Sequence, residues 1–342
     1  MTPPRPEGPV AAALEMTSIA GDLGARIREG LEQVEEQLEH AVRQADPLAD
    51  DVSHHLVRAG GKRVRPLLTL LASHLGQADR PEVFDAAVVV ELTHLASLYH
   101  DDVMDSAPLR RGAPSAHEVW GNTVAILTGD VLFARASTLV AGLGTEAVRI
   151  QATTFERLCL GQLRETVGTR PGQDPVDHYL GVLADKTGSL IATSARFGAL
   201  FAGCSRAVQE VLVEYGELVG VAFQLSDDVI DLSSDGRTSG KTPGTDLREG
   251  VPTLPVLLAR RAAAAGDARA ARIVQLLDGD LSDDAVLAQA VDLLKEHPVT
   301  ELARSQAQRR SDEAIVALQP LPDGPVKEAL VAFADAVVDR TS

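Results

Sequence analysis

Residues 99–108 have the sequence Tyr-His-Asp-Asp-Val-Met-Asp-Ser-Ala-Pro, and they end a long apolar run, residues 88–98, with three carboxylates. If the run is helical, Asp101 and Asp105 project from the same face, about 6 Å apart. Two like charges this close destabilise a helix unless a cation lies between them. Carboxylates with no cysteine nearby favour Mg²⁺ or a similarly hard ion. An Asp-rich helix end is also typical of a solvated surface turn.

The Asp-Asp-x-x-Asp spacing occurs a second time, in residues 224–231, Gln-Leu-Ser-Asp-Asp-Val-Ile-Asp, again at the end of an apolar helical pattern. Two solvated turns would have no reason to match in this way. Basic residues follow each motif: Arg110 and Arg111 after the first, and Lys241 after the second. Carboxylates that bind Mg²⁺, beside arginine and lysine side chains that bind phosphate oxygens, predict a site for a polyphosphate.

With these two motifs in this order, the chain resembles the trans-isoprenyl diphosphate synthases, or all-trans polyprenyl synthetases, from about Gly60 to Leu257. The resemblance implies an all-α fold, a single large helical bundle of the isoprenoid synthase type with the active-site cavity at its centre. It also implies a Mg²⁺-dependent prenyltransferase that condenses isopentenyl diphosphate with an allylic diphosphate, with three Mg²⁺ ions per site when diphosphate is bound. The metal ligands that it implies are Asp101, Asp102, Asp105, Asp227, Asp228 and Asp231.

Residues 60–66, Gly-Gly-Lys-Arg-Val-Arg-Pro, combine two glycines, which let the backbone approach a ligand closely, with Lys62 and Arg65 three residues apart. Alone, the segment is equally typical of a solvated basic loop. The resemblance assigns Lys62 and Arg65, together with His94 and Arg111, to the diphosphate of isopentenyl diphosphate. It assigns Arg110, Lys186 and Lys241 to the allylic diphosphate, and it places Thr187 and Gln224, on facing helices, beside the carbocation.

A long polar segment, residues 233–252, follows the second motif and contains four glycines and Lys241. Segments of this length in a compact domain are usually functional lids or disordered, and we expect a lid over bound diphosphate. Val251 stands where many family members, especially short-chain ones, have a lysine. One expected phosphate contact is therefore missing, which weakens any transfer of short-chain specificity to this chain.

Two small residues shortly before the first motif, Ala96 and Ser97, predict the length of the product. Ser97 lies one helical turn before Asp101 on nearly the same face, and Ala96 lies beside it. In short-chain members of the family a bulky aromatic residue near here closes the pocket. The small side chains therefore predict a passage for the tail and a long-chain all-trans polyprenyl diphosphate as product, although small residues are also common where helices pack closely.

Three alternatives remain open. A short-chain synthase, making farnesyl or geranylgeranyl diphosphate, would share the catalytic residues and differ in pocket depth. A class I terpene cyclase would lack the Lys62 and Arg65 site for a second diphosphate and would usually have a different second metal motif. A non-catalytic partner subunit should have lost at least one Asp-rich motif, and this chain has both.

Composition limits the remaining possibilities. The net charge of −17 argues against a nucleic-acid partner, because phosphate backbones are bound through surplus lysine and arginine. Two cysteines in 342 residues imply no disulfide framework and favour a cytoplasmic protein. We expect no transmembrane segment, a disordered N-terminus at residues 1–16 and one domain at residues 17–342. The resemblance further implies a homodimer.

Overall fold

The computed structural model describes residue 19, residues 21–233 and residues 243–339, and this part of the chain is almost entirely helical, which confirms the predicted all-α class. The helices are α1 (Gly21–Ala41), α2 (Pro47–Arg58), α3 (Val64–Ser73), α4 (Pro81–Met104), α5 (Ala116–Trp120), α6 (Asn122–Gly142), α7 (Thr145–Val167), α8 (Pro175–Leu183), α9 (Ser189–Phe201), α10 (Arg206–Ser233), α11 (Thr245–Arg248), α12 (Leu254–Ala264), α13 (Ala268–Leu277), α14 (Asp284–Glu296), α15 (Pro298–Ala317) and α16 (Pro325–Asp339). A π-helical turn, Ala184–Gly188, joins α8 to α9. Two short antiparallel strands, β1 (Leu109–Arg110) and β2 (Ala113–Pro114), lie between α4 and α5.

The chain packs as two compact units. Unit 1 comprises Met1–Arg157, Ser189–Gly216 and Ala317–Phe333, and unit 2 comprises Leu158–Gly188, Glu217–Val316 and Ala334–Ser342. The prediction of one domain from residue 17 to residue 342 stays a prediction. The predicted disordered N-terminus, Lys241 and residues 234–242 of the predicted lid lie outside the described residues, whereas residues 243–252 of that segment are described and include α11.

Helix α4 is the central element of unit 1 and packs against α1, α3, α6 and α9. Apolar residues occur on all of its faces, which is typical of a helix enclosed on every side. Its middle, from Ala86 to Thr93, is buried without interruption. In its last turns His94, Ser97, Leu98 and Asp101 keep partly exposed side chains. The polar C-terminal end of a buried helix is thus the part of α4 that a ligand can reach.

Two glycines allow helices of unit 1 to approach closely. A Cβ atom at Gly129 of α6 would lie 2.4 Å from Nε2 of His100 and 3.1 Å from the Ala96 carbonyl oxygen. A Cβ atom at Gly198 of α9 would lie 2.0 Å from the carbonyl oxygen of Thr69 on α3. Any larger residue would separate these helices, since real Cβ contacts do not occur at such distances. The packing of α6 against α4 also covers Ala96 completely.

Unit 2 has its own apolar core, formed by residues from α10 to α15. Three of its helices begin at an aspartate that accepts backbone N–H groups of the first turn: Asp174 before α8, Asp267 before α13 and Asp283 before α14. Such caps satisfy amide groups that have no partner within the helix. The core residues are Leu232, Leu247, Val256, Ala259, Ile273, Leu287, Val291, Leu294 and Val299.

Helix α6 is long and apolar enough to cross a membrane by length and composition, which the sequence analysis did not anticipate. One-third of its most apolar window is buried in the protein. A core helix of a soluble protein passes the same criterion, so a single helix of this kind is weak evidence of membrane insertion.

Candidate active site

Helix α4 ends at the first Asp-rich motif and places the two outer carboxylates on one face. Asp105 caps the helix, because its backbone N–H donates to the carbonyl oxygen of Asp101 at 2.8 Å. The two residues are four apart, so their side chains lie on the same side of the helix end, as predicted. Asp105 is exposed and Asp101 is half-buried. Both carboxylates are therefore accessible to a metal ion.

The middle carboxylate of this motif, Asp102, is buried and bound by protein. Its Oδ1 atom accepts from Nε of Arg110 at 2.6 Å and lies 2.6 Å from Nη2 of the same residue. Arg110 reaches Asp102 from strand β1, and the hairpin turns at Arg111 and Gly112, which both have positive φ angles of 54° and 79°. Burial raises the pKa of Asp102, and the Arg110 guanidinium opposes this rise. The buried charge is stabilised by a paired cation.

Arg111 connects the hairpin to the loop at Gly60 and Gly61. Its Nη1 donates to the carbonyl oxygen of Leu56 at 3.1 Å and to that of Gly60. Gly61 makes this contact possible, because a Cβ atom there would lie 2.6 Å from Cζ of Arg111, and its φ of 134° also favours glycine. Gly60 and Gly61 therefore help to position the side chain of Arg111.

Arg63, to which the sequence analysis assigns no role, is a buried ion-pair partner. It lies at the start of α3 in the left-handed conformation, with φ of 46°, and its Nη1 is 3.0 Å from Oε1 of Glu91. It also pairs with Glu35 and donates to the carbonyl oxygen of Val57 at 3.2 Å. These interactions join the Arg63 guanidinium to Glu35 of α1, Val57 of α2 and Glu91 of α4. They fix the loop that presents Lys62.

Arg65 is a partly buried, charged side chain near Arg111 and Glu91. Burial lowers its pKa to about 10, which Glu91 opposes and Arg111 reinforces, so the side chain is charged at neutral pH. Its Nε atom is buried without a hydrogen-bond partner among the described residues. A buried cationic N–H is stabilised by an acceptor, and an oxygen of a diphosphate is a suitable one.

His94 is held in its neutral form beside these arginines. Burial lowers its pKa well below the ordinary value, and the positive charges of Arg65 and Arg111 lower it further. A neutral imidazole has one N–H to donate and one nitrogen that accepts. Beside two guanidinium groups, the ring contributes a directed hydrogen bond without adding to the charge. The structure thus brings together three of the four residues predicted to bind isopentenyl diphosphate, and exposed Lys62 lies on the adjoining loop.

In the second Asp-rich motif, on α10 in unit 2, the middle carboxylate is again buried and the outer two are partly exposed. Asp228 is 2% exposed, and its Oδ2 accepts from the hydroxyl of Tyr179 at 2.7 Å and from the backbone N–H of Leu254 at 3.4 Å. Asp227 and Asp231 are partly exposed. No sequence pattern marks Tyr179 as a partner, because it lies 49 residues before Asp228.

A fourth carboxylate, that of Asp246, lies near the three of this second motif. Asp231 accepts the backbone N–H of Asp246 at 3.2 Å. Burial raises the pKa of Asp228 well above its usual range, and the charges of Asp246 and Asp227 raise it further. Four carboxylates in one region favour a bound cation, and an all-oxygen set suits Mg²⁺. Within the described ranges, no three His, Cys, Asp or Glu side chains are already close enough together to enclose a metal ion.

The π-helical turn of unit 2, Ala184–Gly188, contains Lys186 and Thr187. Nζ of Lys186 pairs with Oε2 of Glu165 at 2.6 Å, and Arg164 pairs with Asp185. The hydroxyl of Thr187 donates to Oε1 of Gln224 at 3.4 Å, so these two residues face each other as expected. π-Helical turns inside helices occur frequently at functional sites.

The two predicted chain-length residues have different surroundings. Ser97 is partly exposed on the same face as Asp101, and its hydroxyl donates to the carbonyl oxygen of His94 at 2.8 Å. Ala96 has no exposed surface, because α6 covers it. Ser97 is thus the one of the two that lies on the accessible stripe of α4. Their predicted role in product length stays a prediction.

The chain is similar to known proteins over nearly its whole length. A family model described as polyprenyl synthetase matches residues 46–294. A nonaprenyl diphosphate synthase of Mycobacterium tuberculosis is 47% identical over 331 residues, 95% of this chain and 98% of that protein.

Two solved structures match the fold. The geranylgeranyl pyrophosphate synthase of Corynebacterium glutamicum, complexed with calcium and isoprenyl diphosphate, has a TM-score of 0.83 at 44% identity, covering 94% of this chain and 98% of that one. The polyprenyl synthase of Caulobacter crescentus, with the same ligands, has a TM-score of 0.85 at 32% identity, covering 99% and 100%.

Proposed function

The chain belongs to the polyprenyl synthetase family and is a prenyltransferase, and on this basis we propose that it condenses isopentenyl diphosphate with an allylic diphosphate and releases a long-chain all-trans polyprenyl diphosphate. The observation that supports this most directly is the anion site of unit 1. Arg65 and Arg111, with neutral His94 beside them, form a site for one diphosphate. Both Asp-rich motifs are also present, and the outer carboxylates of each are partly or fully exposed.

Mg²⁺ is the cofactor that the donor atoms fit. Asp101 and Asp105 in unit 1 and Asp227 and Asp231 in unit 2 are accessible carboxylates that would hold it, with three ions expected when diphosphate is bound. Bound Mg²⁺ supplies charge neutralisation for the leaving diphosphate. We assign positioning roles to Asp102 and Asp228, because each is buried and protein groups already bind one of its carboxylate oxygens.

The first chemical step is ionisation of the allylic substrate. Its C–O bond breaks, and the electron pair leaves with the diphosphate. Arg110 and Lys186 stabilise the charge that develops on the diphosphate oxygens, together with Lys241, which lies outside the described residues. The Thr187 hydroxyl and the Gln224 amide, joined by their hydrogen bond, direct oxygen dipoles at the allylic cation. Exclusion of water preserves the cation until it reacts.

The second step forms the carbon–carbon bond. Lys62, Arg65, His94 and Arg111 hold the diphosphate of isopentenyl diphosphate, so that the double bond of this substrate attacks the allylic cation. The resulting tertiary cation loses a proton to the departed diphosphate, the base nearest to it. The product is an allylic diphosphate with one further isoprene unit, and it can enter another cycle.

The relatives support a long-chain product, but overall similarity does not give the exact chain length. The chain is 47% identical to a nonaprenyl diphosphate synthase and 44% identical to a geranylgeranyl pyrophosphate synthase, two names that differ in product. The small side chain of Ser97 on the accessible stripe of α4 supports the long-chain assignment. A short-chain product is the alternative. A terpene cyclase would not need the second diphosphate site formed by Arg65 and Arg111.

We further propose that the chain acts as a cytoplasmic homodimer. Two free cysteines, Cys159 and Cys204, are compatible with a reducing compartment. Helix α6 exposes Leu127 and Val131, and α7 exposes Phe155. A second copy of the chain is the occupant we assign to this apolar surface.

Product analysis tests the proposed function. Purified protein is incubated with Mg²⁺, labelled isopentenyl diphosphate and farnesyl diphosphate, and the dephosphorylated products are separated by chain length. We expect a ladder of long polyprenols that disappears when either substrate or Mg²⁺ is omitted. A single short product would support the short-chain alternative, and the absence of any condensation product would overturn the assignment.

A further inference from the structure

Three helices of unit 2 meet at one oxygen atom of the second Asp-rich motif. Oδ2 of Asp228, on α10, accepts from the hydroxyl of Tyr179, on α8, at 2.7 Å. The same atom accepts from the backbone N–H of Leu254, the first residue of α12, at 3.4 Å. Asp228 and Tyr179 are both almost completely buried. A buried carboxyl group that loses a donor is less stable where it is, so Tyr179 fixes the orientation of the Asp228 side chain.

A second hydrogen bond joins the same two segments of the chain. The hydroxyl of Thr187, in the π-helical turn that continues α8, donates to Oε1 of Gln224 on α10 at 3.4 Å. Tyr179 lies eight residues before Thr187, and their partners on α10 lie four residues apart in the reverse order. The two segments therefore run in opposite directions and are joined at two points. A displacement of α10 at Asp228 would also move Gln224, which lies about one helical turn away.

The described part of the predicted lid, residues 243–252, is attached to the same motif. The backbone N–H of Gly244 donates to the carbonyl oxygen of Asp231 at 3.0 Å. The backbone N–H of Asp246 donates to Oδ2 of Asp231 at 3.2 Å. Leu254, which donates to Asp228, begins α12 shortly after this segment. The end of the predicted lid is therefore bound to two of the three aspartates of the motif.

The two outer aspartates of the motif, Asp227 and Asp231, are the residues that we expect to bind Mg²⁺ in unit 2. They flank Asp228 on α10, one directly before it and the other three residues after it. Groups that hold metal ligands in place strengthen metal binding, and loss of such a group typically lowers the affinity by about 10–100-fold. The partners of Asp228 are therefore expected to influence the metal site without contacting the metal.

We propose that Tyr179 is a positioning residue that acts through Asp228 on the two outer carboxylates of the second motif, and that it thereby raises the affinity of the protein for Mg²⁺ bound together with diphosphate. This inference rests on the proposed function. Tyr179 contacts neither substrate nor metal in this role, because its hydroxyl is buried against Asp228. The same hydrogen bond aligns the π-helical turn, which carries Lys186, with the motif.

Tyr179→Phe is the variant that tests this role, because it removes the hydroxyl and keeps the ring that packs in α8. Calorimetry with Mg²⁺ and inorganic diphosphate, compared with diphosphate alone, measures metal-dependent binding without turnover. We expect this affinity to fall about tenfold in the variant. In steady-state assays the Mg²⁺ midpoint and the KM for the allylic diphosphate should rise. The KM for isopentenyl diphosphate, which we assign to unit 1, should not change.

Tyr215→Phe is the matched control. Tyr215 is completely buried in unit 1, and its hydroxyl donates to the carbonyl oxygen of Leu330 at 2.8 Å. The control therefore also removes a buried tyrosine hydrogen bond, but from the unit that lacks the second motif. We expect it to lower thermal stability and to keep the wild-type affinity and Mg²⁺ midpoint. A merely structural role of Tyr179 would give this same pattern.

An unchanged metal-dependent affinity in folded Tyr179→Phe would overturn the positioning role, as would an equal loss in Tyr215→Phe. If Tyr179→Phe is too unstable for calorimetry, the rise in Tm on adding Mg²⁺ and diphosphate gives the same comparison, because a ligand stabilises the folded state according to its affinity. Absence of Mg²⁺-dependent diphosphate binding by the wild-type protein would instead contradict the proposed function. The two failures are therefore distinguishable.

Discussion

At the scale of single residues, the three carboxylates of each Asp-rich motif have different environments. Asp102 is paired with Arg110, and Asp228 accepts from Tyr179 and from a backbone N–H. Both are almost completely buried, whereas the first and last aspartates of each motif retain exposed surface. A buried carboxylate that is already paired loses that stabilisation if it turns toward a metal ion. The middle aspartates are therefore better suited to hold neighbouring groups in place.

We expect substitutions in the first motif to separate these two roles. Asp101→Asn should lower the rate at a fixed Mg²⁺ concentration by at least about 100-fold, because a direct metal ligand is lost. Asp102→Asn should raise the KM for the allylic diphosphate about tenfold, because Arg110 loses the group that orients it, with little change in the Mg²⁺ requirement. Initial rates measured across a Mg²⁺ titration distinguish the two effects. An equal shift of the Mg²⁺ midpoint in both variants would show that Asp102 is itself a ligand.

His94 should make the stability of the protein depend on pH. Burial and the neighbouring arginines lower its pKa in the folded state, so between that value and about 6.5 the unfolded chain binds more protons. The stability associated with neutral His94 is complete above pH 6.5 and decreases as the pH falls. The decrease is at most about 1.4 kcal/mol per pH unit, and His94→Gln should remove it. Urea unfolding of both proteins from pH 5 to pH 7.5 measures this difference, and parallel curves would contradict it.

Single residues also show what the sequence could and could not predict. Thr187 and Gln224 were expected on facing helices, and a hydrogen bond joins them. The pair of Asp102 with Arg110 could not be predicted, because it depends on how the hairpin folds back. Tyr179 was missed for a similar reason, since its partner is far away in sequence. Contacts that depend on tertiary structure leave no local pattern.

At the scale of elements, the π-helical turn Ala184–Gly188 packs closely against α7 because Gly161 has no side chain. A Cβ atom at Gly161 would lie 2.9 Å from the backbone nitrogen of Lys186 and 3.1 Å from Cβ of Asp185. This close approach is what allows Lys186 to pair with Glu165. The geometry of the turn, and with it the positions of Lys186 and Thr187, depends on the absence of a side chain at residue 161.

Gly161→Ala should therefore reduce both stability and turnover. Overpacking at a backbone contact typically destabilises by about 1–3 kcal/mol, and displacement of Lys186 should lower kcat about tenfold or more. Gly181→Ala is the control, because a Cβ atom at that position in α8 would have no neighbour within 4 Å. The control should gain about 0.5–1 kcal/mol, as alanine replaces glycine within a helix. Thermal unfolding and steady-state kinetics compare the variants, and equal kcat values would show that the π-helical turn tolerates the change.

Helices were the most predictable elements and strands the least. Helix α4 occupies Pro81–Met104 and contains the apolar run at residues 88–98, which is long and continuous enough to predict a helix. The strands β1 and β2 were missed, because two residues are too few to show an alternating pattern. The hairpin is nevertheless the element that positions Arg110 and Arg111.

At the scale of the whole molecule, the distribution of charge matters more than its sum. The net charge of −17 would repel a diphosphate at a distance, yet Arg63, Arg65, Arg110 and Arg111 are all near His94 in unit 1. Burial strengthens their local field, because less water screens it. Composition could exclude nucleic acid as a partner, but it could not reveal this cluster.

The division of the chain into two units could not be predicted from the sequence either. The unit boundaries fall inside helices such as α7 and α10 and not in linkers of distinct composition.

The exposed apolar residues of α6 and α7 lead to the last prediction, which concerns assembly. Leu127 is 57% exposed and Val131 is 37% exposed, one turn apart on α6. If a second copy covers this surface, light scattering without detergent should give twice the chain mass of 36.1 kDa. Leu127→Asp should reduce the measured mass toward that of one chain, because a buried unpaired charge is strongly unfavourable.

Leu302→Asp is the matched control for this substitution. Leu302 on α15 is 53% exposed, nearly as much as Leu127, and we assign it to no interface. The control should keep the mass of two chains and full prenyltransferase activity. A wild-type mass of one chain, or an unchanged mass in Leu127→Asp, would exclude this surface as the dimer interface. Detergent-dependent solubility together with binding to lipid vesicles would instead mean that α6, whose length and composition suit a bilayer, contacts a membrane.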